Sequence, residues 1–188
     1  MNVDYRYIET YTGKLFHIEN PVNIDIEDIA HSLSMQCRYT GHSSRFYSVA
    51  EHSVLVSYIV DSKFAKSALL HDASEAYISD ISSPFKPLLE NYKELEDRIM
   101  LSVADTFDLP PNFHEADAVK LADVQALKLE AFYLVPSKGA AFKGLEKVEW
   151  PDLYGEDYWQ EDRDFGFPPE KAKQLFLDRW RGLKNCKL

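Results

Sequence analysis

The sequence predicts an all-α fold, arranged as a single compact bundle of about six helices over residues 1–188. Apolar residues recur at helical spacings of three and four through most of the chain, whereas no segment shows the sustained alternation of a β-strand. A length of 188 residues, 45% of them hydrophobic, is typical of one domain with an ordinary core. The longest apolar runs, such as 54–56 and 68–70, are far shorter than the roughly 18 to 20 residues that a membrane span requires.

The first half of the chain contains three predicted helices. Glu27–Gln36 begins with an acidic first turn, which suits the positive end of the helix dipole. A loop rich in glycine, serine and arginine follows at 38–45, and the second helix is predicted over Phe46–Val60. The pair 61–62 supplies a stop for that helix and a cap for a third one, which we expect over Lys63–Tyr77.

Two further long helices are predicted after a break at a serine-proline segment. The first covers Pro87–Phe107 and ends before the proline pair at 110–111. Asn112 with Glu115 three residues later has the spacing of a helix cap, so we expect the next helix to begin there and to run to Leu134.

The last part of the chain is an irregular stretch followed by one helix. Helical periodicity is absent from 136–168, which we interpret as an ordered, lid-like excursion from the domain. The excursion contains a cluster of acidic residues, namely Glu156, Asp157, Glu161, Asp162 and Asp164. A C-terminal helix is predicted over 169–185.

Charge and cysteine content exclude several classes of protein. Acidic residues outnumber basic ones by 31 to 21, which gives a net charge of -10 and disfavours a nucleic-acid partner. Cys37 and Cys186 have no metal-ligand spacing and are expected to be reduced thiols. The N-terminal residues lack the basic start and apolar run of a secretory signal. We therefore expect a cytoplasmic protein without a membrane partner.

Three polar side chains fall on the apolar faces of predicted helices. His52 lies between Val49 and Val56 on one face, and Asp72 and Asp123 have comparable apolar neighbours on their own helices. A carboxylate in apolar surroundings is costly unless it is paired or bound to a metal. Two such carboxylates on different helices therefore favour a shared cation.

His71 precedes Asp72 directly and completes a candidate metal site of His52, His71, Asp72 and Asp123. Imidazole and carboxylate groups suit a divalent ion such as Co²⁺, Mn²⁺, Zn²⁺, Fe²⁺ or Mg²⁺. The alternative interpretation is a core histidine bonded to a carbonyl, with a His-Asp pair that occurs by chance.

More charged residues surround this set. Glu75 and Asp80 could divide the work of general base and general acid, or could be solvated charges at a helix end. Arg38, Arg45 and Lys86 lie in the flanking loops and could contact phosphate, although surface solubility would also explain each of them.

The segments that carry these residues resemble the successive motifs of the HD-domain phosphohydrolases. They are SVAEHSVLVS around His52, ALLHDASEAYISD over Ala68–Asp80, and LAD over Leu121–Asp123. The chain is most similar to small bacterial and phage deoxynucleotidase-like members, through segments Ala30–Arg38 and Phe46–His52. The resemblance covers about residues 10–135, the core of the domain.

This resemblance implies a role for each candidate residue. It makes the two histidines and two aspartates of the candidate site the metal ligands, and it places Glu75 and Asp80 at the positions of the family's catalytic acids. It implies that Arg38 engages substrate phosphate, that Tyr39 lies near the sugar or base, and that Lys86 reaches phosphate. It also implies a homo-oligomer, a dimer or larger.

The function that the resemblance implies is hydrolysis of a small-molecule nucleotide. We expect a 5′-deoxynucleotidase that releases phosphate from deoxynucleoside monophosphates, in the host cytoplasm if a phage encodes it. A dNTP triphosphohydrolase of the dATP type is the neighbouring alternative. A nucleotide-sensing module without turnover and a hydrolase of alarmones or cyclic nucleotides also stay open.

Overall fold

The computed structural model describes residues 6–153 and 165–185, and helices dominate both parts, which confirms the all-α class. Seven α-helices lie in this described part, against about six predicted. They are α1 (Ile26–Met35), α2 (Val49–Ile59), α3 (Ala65–Leu69), α4 (Glu75–Ile78), α5 (Tyr92–Thr106), α6 (Asp117–Leu134) and α7 (Pro169–Asn185). None of these helices combines the length and the apolar character that a membrane span needs.

Helix α2 is the centre of the bundle. It packs against α1, α3, α6 and α7, and all residues from Val49 to Ser57 are buried. A helix surrounded on every side can keep polar side chains only where each of them finds a partner. His52 therefore has no contact with solvent, and its protonation depends on the side chains around it.

Two polar residues of α2 hold the C-terminal part of the chain. Ser57 accepts two hydrogen bonds from Arg179 of α7. Nε donates to the serine hydroxyl at 3.0 Å and Nη2 donates to the serine carbonyl oxygen at 2.7 Å. Glu51 accepts the backbone N–H groups of Gly166 and Phe167 at 2.8 and 3.1 Å. Glycine is required at 166, because φ is +84° and a Cβ would lie 2.7 Å from the carbonyl oxygen of Phe46.

A short antiparallel hairpin precedes α1 and adds two strands to the predicted helices. Strands β1 (Tyr7–Glu9) and β2 (Leu15–His17) pair with Ile8 opposite Phe16. Strands of three residues are too short to show the alternation on which the prediction depended. Phe16 anchors the hairpin, since it is buried and stacks on Tyr77 with ring centroids 4.0 Å apart.

The third predicted helix, 63–77, is broken in the structure. A 3₁₀ turn (Ser62–Phe64) leads into α3. Between α3 and α4 the backbone forms turns, in which N–H groups bond to the carbonyl oxygen three residues earlier and not four. The Ala68 carbonyl accepts from Nδ1 of His71 at 2.7 Å, and this bond competes with the regular helical ladder. The break places both His71 and Asp72 in turns.

Other predicted boundaries are wrong by a few residues. The second helix begins at Val49 after a Ser48 cap, and the helix predicted from Pro87 begins at Tyr92 after a 3₁₀ turn. Asn112 makes no capping bond, because a separate 3₁₀ turn (Phe113–Glu115) precedes α6. The C-terminal helix, Pro169–Asn185, agrees with its prediction.

The predicted irregular stretch 136–168 is described only in part. Its residues up to 153 contain turns and one 3₁₀ turn (Leu145–Lys147). The acidic cluster from Glu156 to Asp164 lies outside the described residues, so the lid-like role of this stretch stays a prediction.

Asp25 generates a prediction for the pH dependence of stability. Its carboxylate caps α1 by accepting from the N–H of Glu27 at 2.8 Å, and it lies 2.5 Å from Nζ of Lys14. The hydrogen bond from Lys14 lowers the pKa of Asp25 below its ordinary 3.8, although burial opposes the shift. A lowered folded-state pKa means that the carboxylate stabilises the fold above the unfolded pKa, and that this stabilisation is lost as the pH falls through the folded-state pKa.

We expect Asp25→Ala to lower the free energy of unfolding by about 1 kcal/mol at neutral pH, because the cap is lost. Asp25→Asn is the matched control, since asparagine caps as well as aspartate but cannot pair with Lys14. Its smaller deficit should shrink as the pH falls from about 7 to about 3, which urea denaturation measures. A deficit of Asp25→Asn that stays constant over this range would contradict the ion-pair contribution.

Candidate metal centre

The structure brings the four predicted metal ligands to one place. Nε2 of His52 lies 3.3 Å from Nε2 of His71 and 3.1 Å from Oδ1 of Asp123. Oδ2 of Asp72 lies 3.2 Å from the His71 nitrogen and 3.6 Å from that of His52. Ligands that bind one ion at about 2.0 to 2.2 Å are separated by roughly these distances, so His52, His71 and Asp72 could hold a single divalent cation. Oδ1 of Asp123 lies 3.9 Å from Nε2 of His71 and is the candidate for a fourth ligand.

The four candidate ligands come from three parts of the fold and differ in exposure. His52 lies on α2 and is fully buried, while His71 and Asp72 lie in the turns between α3 and α4. Asp123 lies on α6 with 41% of its side chain exposed. The cluster is therefore closed on the α2 side and open to solvent beside Asp123.

Both histidines direct Nε2 toward this point. Nδ1 of His71 must carry a proton, because its partner at 2.7 Å is the carbonyl oxygen of Ala68, which can only accept. Nδ1 of His52 donates in the same way to Oε1 of Glu130 at 2.6 Å. With Nδ1 protonated, Nε2 is the ring nitrogen that each histidine would offer to a metal, and binding would displace any proton that Nε2 carries.

Glu130 is a functional residue that the sequence reasoning missed. It is fully buried on α6, and its carboxylate accepts the hydroxyl groups of Tyr39 and Tyr47 at 3.0 Å each, besides Nδ1 of His52. Nε of Arg38 lies 3.3 Å away as an ion pair. Burial alone would raise the pKa of Glu130, but Arg38 and His52 lower it to about 2, so the group is ionised at neutral pH.

A sequence signal for Glu130 existed. It follows Asp123 by seven residues, which is two helical turns, so both side chains lie on the same face of α6. Glu130 also stands between Leu129 and Ala131, both of which are buried. An acidic residue among buried neighbours requires hydrogen-bond or ion-pair partners, as the sequence also indicated for Asp72 and Asp123.

The electrostatics of the cluster favour positive charge at its centre. Burial and Arg38 would lower the pKa of His52, yet Glu130 and Asp123 raise it to about 10. Burial likewise would raise the pKa of Asp123, but the hydrogen bond and charge of His52 hold it well below its ordinary value. Carboxylates that raise the pKa of a buried imidazole would also attract a metal cation.

The predicted acids Glu75 and Asp80 lie at the start of α4 and two residues after its end. Glu75 is buried, and burial together with the charges of Asp72 and Asp80 raises its pKa well above its ordinary value. Burial also raises the pKa of Asp80. Oε2 of Glu75 has no hydrogen-bond partner among the described residues. Both shifts favour the protonated carboxyl group, which is the form that a general acid needs.

Arg38 and Tyr39 lie at the site but are already engaged by it. The Arg38 guanidinium is largely buried between Glu130 and Asp72, with Nη1 3.8 Å from the Asp72 carboxylate. The Tyr39 hydroxyl points inward to Glu130, and its ring meets the edge of Phe142 at 6.5 Å. Tyr39 also has a left-handed φ of 58°, a conformation that bulky residues adopt rarely and that is concentrated at functional sites.

Lys86 is placed differently from a free phosphate anchor. Its ammonium group lies 2.9 Å from Oε1 of Glu96 and 3.4 Å from Oε1 of Glu75. Burial would lower the pKa of Lys86, but Glu75 and Glu96 outweigh it and raise that pKa. Glu96 was not expected from the sequence. Its carboxylate and that of Glu75 both pair with Lys86, which therefore lies beside a catalytic candidate.

A second group of potential ligands, Asp97, His114 and Glu115, lies elsewhere on the described surface. Lys93 already bridges it, with Nζ 2.7 Å from Asp97 and 3.1 Å from Glu115. An ammonium group between the two carboxylates supplies the positive charge that they need. This group is therefore a poorer cation site than the one around His52.

Glu130 generates a prediction about stability. Replacing Glu130 by glutamine keeps its size but removes the charge that pairs with Arg38 and orients His52. Because breaking a buried ion pair exposes its partner to an unfavourable environment, we expect the free energy of unfolding to fall by about 3 kcal/mol. Urea denaturation measures the change, and Glu94→Gln on the exposed face of α5 is the control. If Glu130→Gln lowered the free energy of unfolding no more than Glu94→Gln does, the charge of Glu130 would not be needed for stability.

Comparison with known proteins identifies relatives along nearly the whole chain. No family model matches. The uncharacterized protein YfdR of Escherichia coli (strain K12) is 38% identical over 183 residues, which cover 96% of this chain and 97% of YfdR. An uncharacterized protein of Rhodobacter capsulatus is 37% identical over 123 residues, which cover 59% of this chain and 63% of that protein. The identity to YfdR over almost the full length of both proteins shows that the chain belongs to the same family as YfdR.

Proposed function

We propose that this protein is a metal-dependent phosphohydrolase of the HD type that converts deoxynucleoside 5′-monophosphates to deoxynucleosides and phosphate. The observation that carries the proposal is the convergence of His52, His71, Asp72 and Asp123, with Nε2 of both histidines facing the carboxylates. A divalent ion held by these residues supplies Lewis acidity, which lowers the pKa of water and polarises a phosphoryl oxygen. Mn²⁺, Co²⁺, Zn²⁺, Fe²⁺ and Mg²⁺ are the candidates.

In the proposed reaction the chain's own residues manage protons and phosphate charge. The oxygen of water adds to phosphorus, the bond from phosphorus to the 5′ oxygen breaks, and that oxygen leaves with a proton. Glu75 and Asp80, whose pKa values are raised, are the groups suited to give and take these protons. Arg38, held toward Asp72 by Glu130, is the cation that offsets phosphate charge.

The charge balance around the site favours a monophosphate over a triphosphate. Asp72, Asp123, Glu75 and Asp80 contribute negative charge, and among the described residues near them Lys86 is engaged by Glu75 and Glu96. A triphosphate carries roughly twice the negative charge of a monophosphate and needs more cations beside the metal. Arg38 alone would meet that demand poorly, so triphosphate hydrolysis is kept as an outcome of the test.

The test is an activity screen of metal against substrate. Protein stripped with a chelator is reloaded with each of the five ions and incubated with every dNMP and dNTP, and the products are separated. We expect inorganic phosphate from dNMPs only after reloading. Asp72→Asn should abolish both the activity and the tight binding of Mn²⁺ by calorimetry, whereas Asp97→Asn, in the Lys93 cluster, should retain both. Release of triphosphate from dNTPs would contradict the proposed reaction and indicate a triphosphohydrolase. Nucleotide binding without product would indicate a sensing module.

Arg38 generates a separate prediction. Arg38→Lys keeps the positive charge but loses the planar group that can bind phosphate oxygens in pairs. We expect kcat/KM for the preferred dNMP to fall by about tenfold to a hundredfold, chiefly through KM. Arg98→Lys, at an exposed position on α5, is the matched control. Steady-state kinetics that show equal kcat/KM for the two variants would remove Arg38 from the phosphate site.

A further inference from the structure

The side chain of Gln36, at the C-terminal end of α1, bonds to both ends of the turn that carries the two acids. Its Nε2 donates to the carbonyl oxygen of Glu75 at 2.9 Å, and its Oε1 accepts the N–H of Asp80 at 2.8 Å. Nε2 also lies 3.1 Å from the hydroxyl of Ser32. The orientation of the amide is fixed by its partners, because a carbonyl only accepts and an N–H only donates.

Gln36 is also tied by its backbone to the helix that carries a metal ligand. Its carbonyl oxygen accepts the N–H of Val49 at 3.1 Å, at the first residue of α2 and one turn before His52. Arg38 follows Gln36 by two residues. One residue therefore links the start of α2, the loop with the phosphate-binding candidate and the turn with both acids.

The turn that Gln36 spans contains a strained residue. Ser79 ends α4 with φ of 71° and ψ of 154°, a backbone conformation that is almost confined to glycine. Such a conformation persists only where the surrounding contacts enforce it. The N–H of Ser79 bonds to the Glu75 carbonyl at 2.9 Å, and Gln36 supplies the bonds on either side of it.

We propose that Gln36 is a positioning residue, which holds the strained turn at Ser79 so that the carboxyl groups of Glu75 and Asp80 face the same substrate. The inference rests on the proposed phosphohydrolase function for its catalytic consequence. The geometry has a clear rationale: without the two bonds from Gln36, Ser79 would relax to an extended or helical conformation and would carry Asp80 away from Glu75. The metal ligands would stay in place, since none of them bonds to the Gln36 side chain in the described structure.

The test uses Gln36→Met, which keeps the length of the side chain and removes all three of its hydrogen bonds. We expect kcat for the preferred dNMP to fall by about tenfold to a hundredfold with a much smaller change in KM, because the acids are displaced while phosphate binding is kept. The affinity for Mn²⁺, measured by calorimetry, should not change. Gln174→Met, at an exposed position on α7, is the matched control.

A second substitution separates positioning from a general loss of packing. Adding Ser79→Gly to Gln36→Met removes the strain that Gln36 is proposed to hold, so kcat should recover by about fivefold or more. A defect caused by packing would not respond to glycine at 79. Absence of recovery, or a Gln36→Met variant with the kcat of the Gln174→Met control, would overturn the proposal.

An activity-independent measurement distinguishes failure of this proposal from failure of the proposed function. Hydrogen exchange of the Asp80 amide, followed by NMR, should accelerate by about tenfold or more in Gln36→Met, because Oε1 of Gln36 is its partner. Unchanged exchange would refute the holding of the turn, whatever the enzyme does. Accelerated exchange in a protein that turns over no nucleotide would refute the phosphohydrolase and, with it, the catalytic consequence of Gln36.

Discussion

The ionised carboxylate of Glu130, buried without exposed surface, is the interaction on which the site depends. It accepts the Nδ1 proton of His52, so that Nε2 faces the other candidate ligands, and it pairs with the largely buried Arg38. Two tyrosine hydroxyls complete its set of partners. Because a buried carboxylate is costly without such partners, the groups around it are held in one arrangement, and the position of Arg38 is coupled to that of His52.

The rest of the fold serves the burial of α2. Helices α1, α3, α6 and α7 surround it, and its polar residues bond to distant parts of the chain, as Glu51 does to Gly166 and Ser57 to Arg179. These bonds connect the C-terminal part of the chain to the helix that carries His52. A candidate metal ligand in an enclosed helix has little freedom, and such preorganisation is what a metal site needs.

The opposite side of the site is made of irregular backbone. His71 and Asp72 lie in a break between α3 and α4, Ser79 has a conformation suited to glycine, and Tyr39 is left-handed. Adjacent residues of a regular helix do not face the same way, so the break lets His71 and Asp72 approach the same point. Strained or irregular backbone at such a place is what functional sites commonly require.

The sequence by itself determined the helical class and placed His52 on a buried helix face, because helical periodicity is a local property of a sequence. Spacing together with the family resemblance also indicated that His71, Asp72 and Asp123 would join His52, although Asp72 lies in a turn and not on the predicted helix face. The roles of Glu96 and Gln36 were decided only by the tertiary structure, since their partners Lys86 and Glu75 lie 10 and 39 residues away. Periodicity could have placed Glu130 on the buried face of α6, but its hydrogen-bond partners lie 78 to 91 residues away. The break at His71 and the hairpin at Phe16 also needed the tertiary structure. Both arise from tertiary contacts that oppose the local helical or irregular preference of the chain. The spacing of residues in the sequence does not show which of the two is stronger.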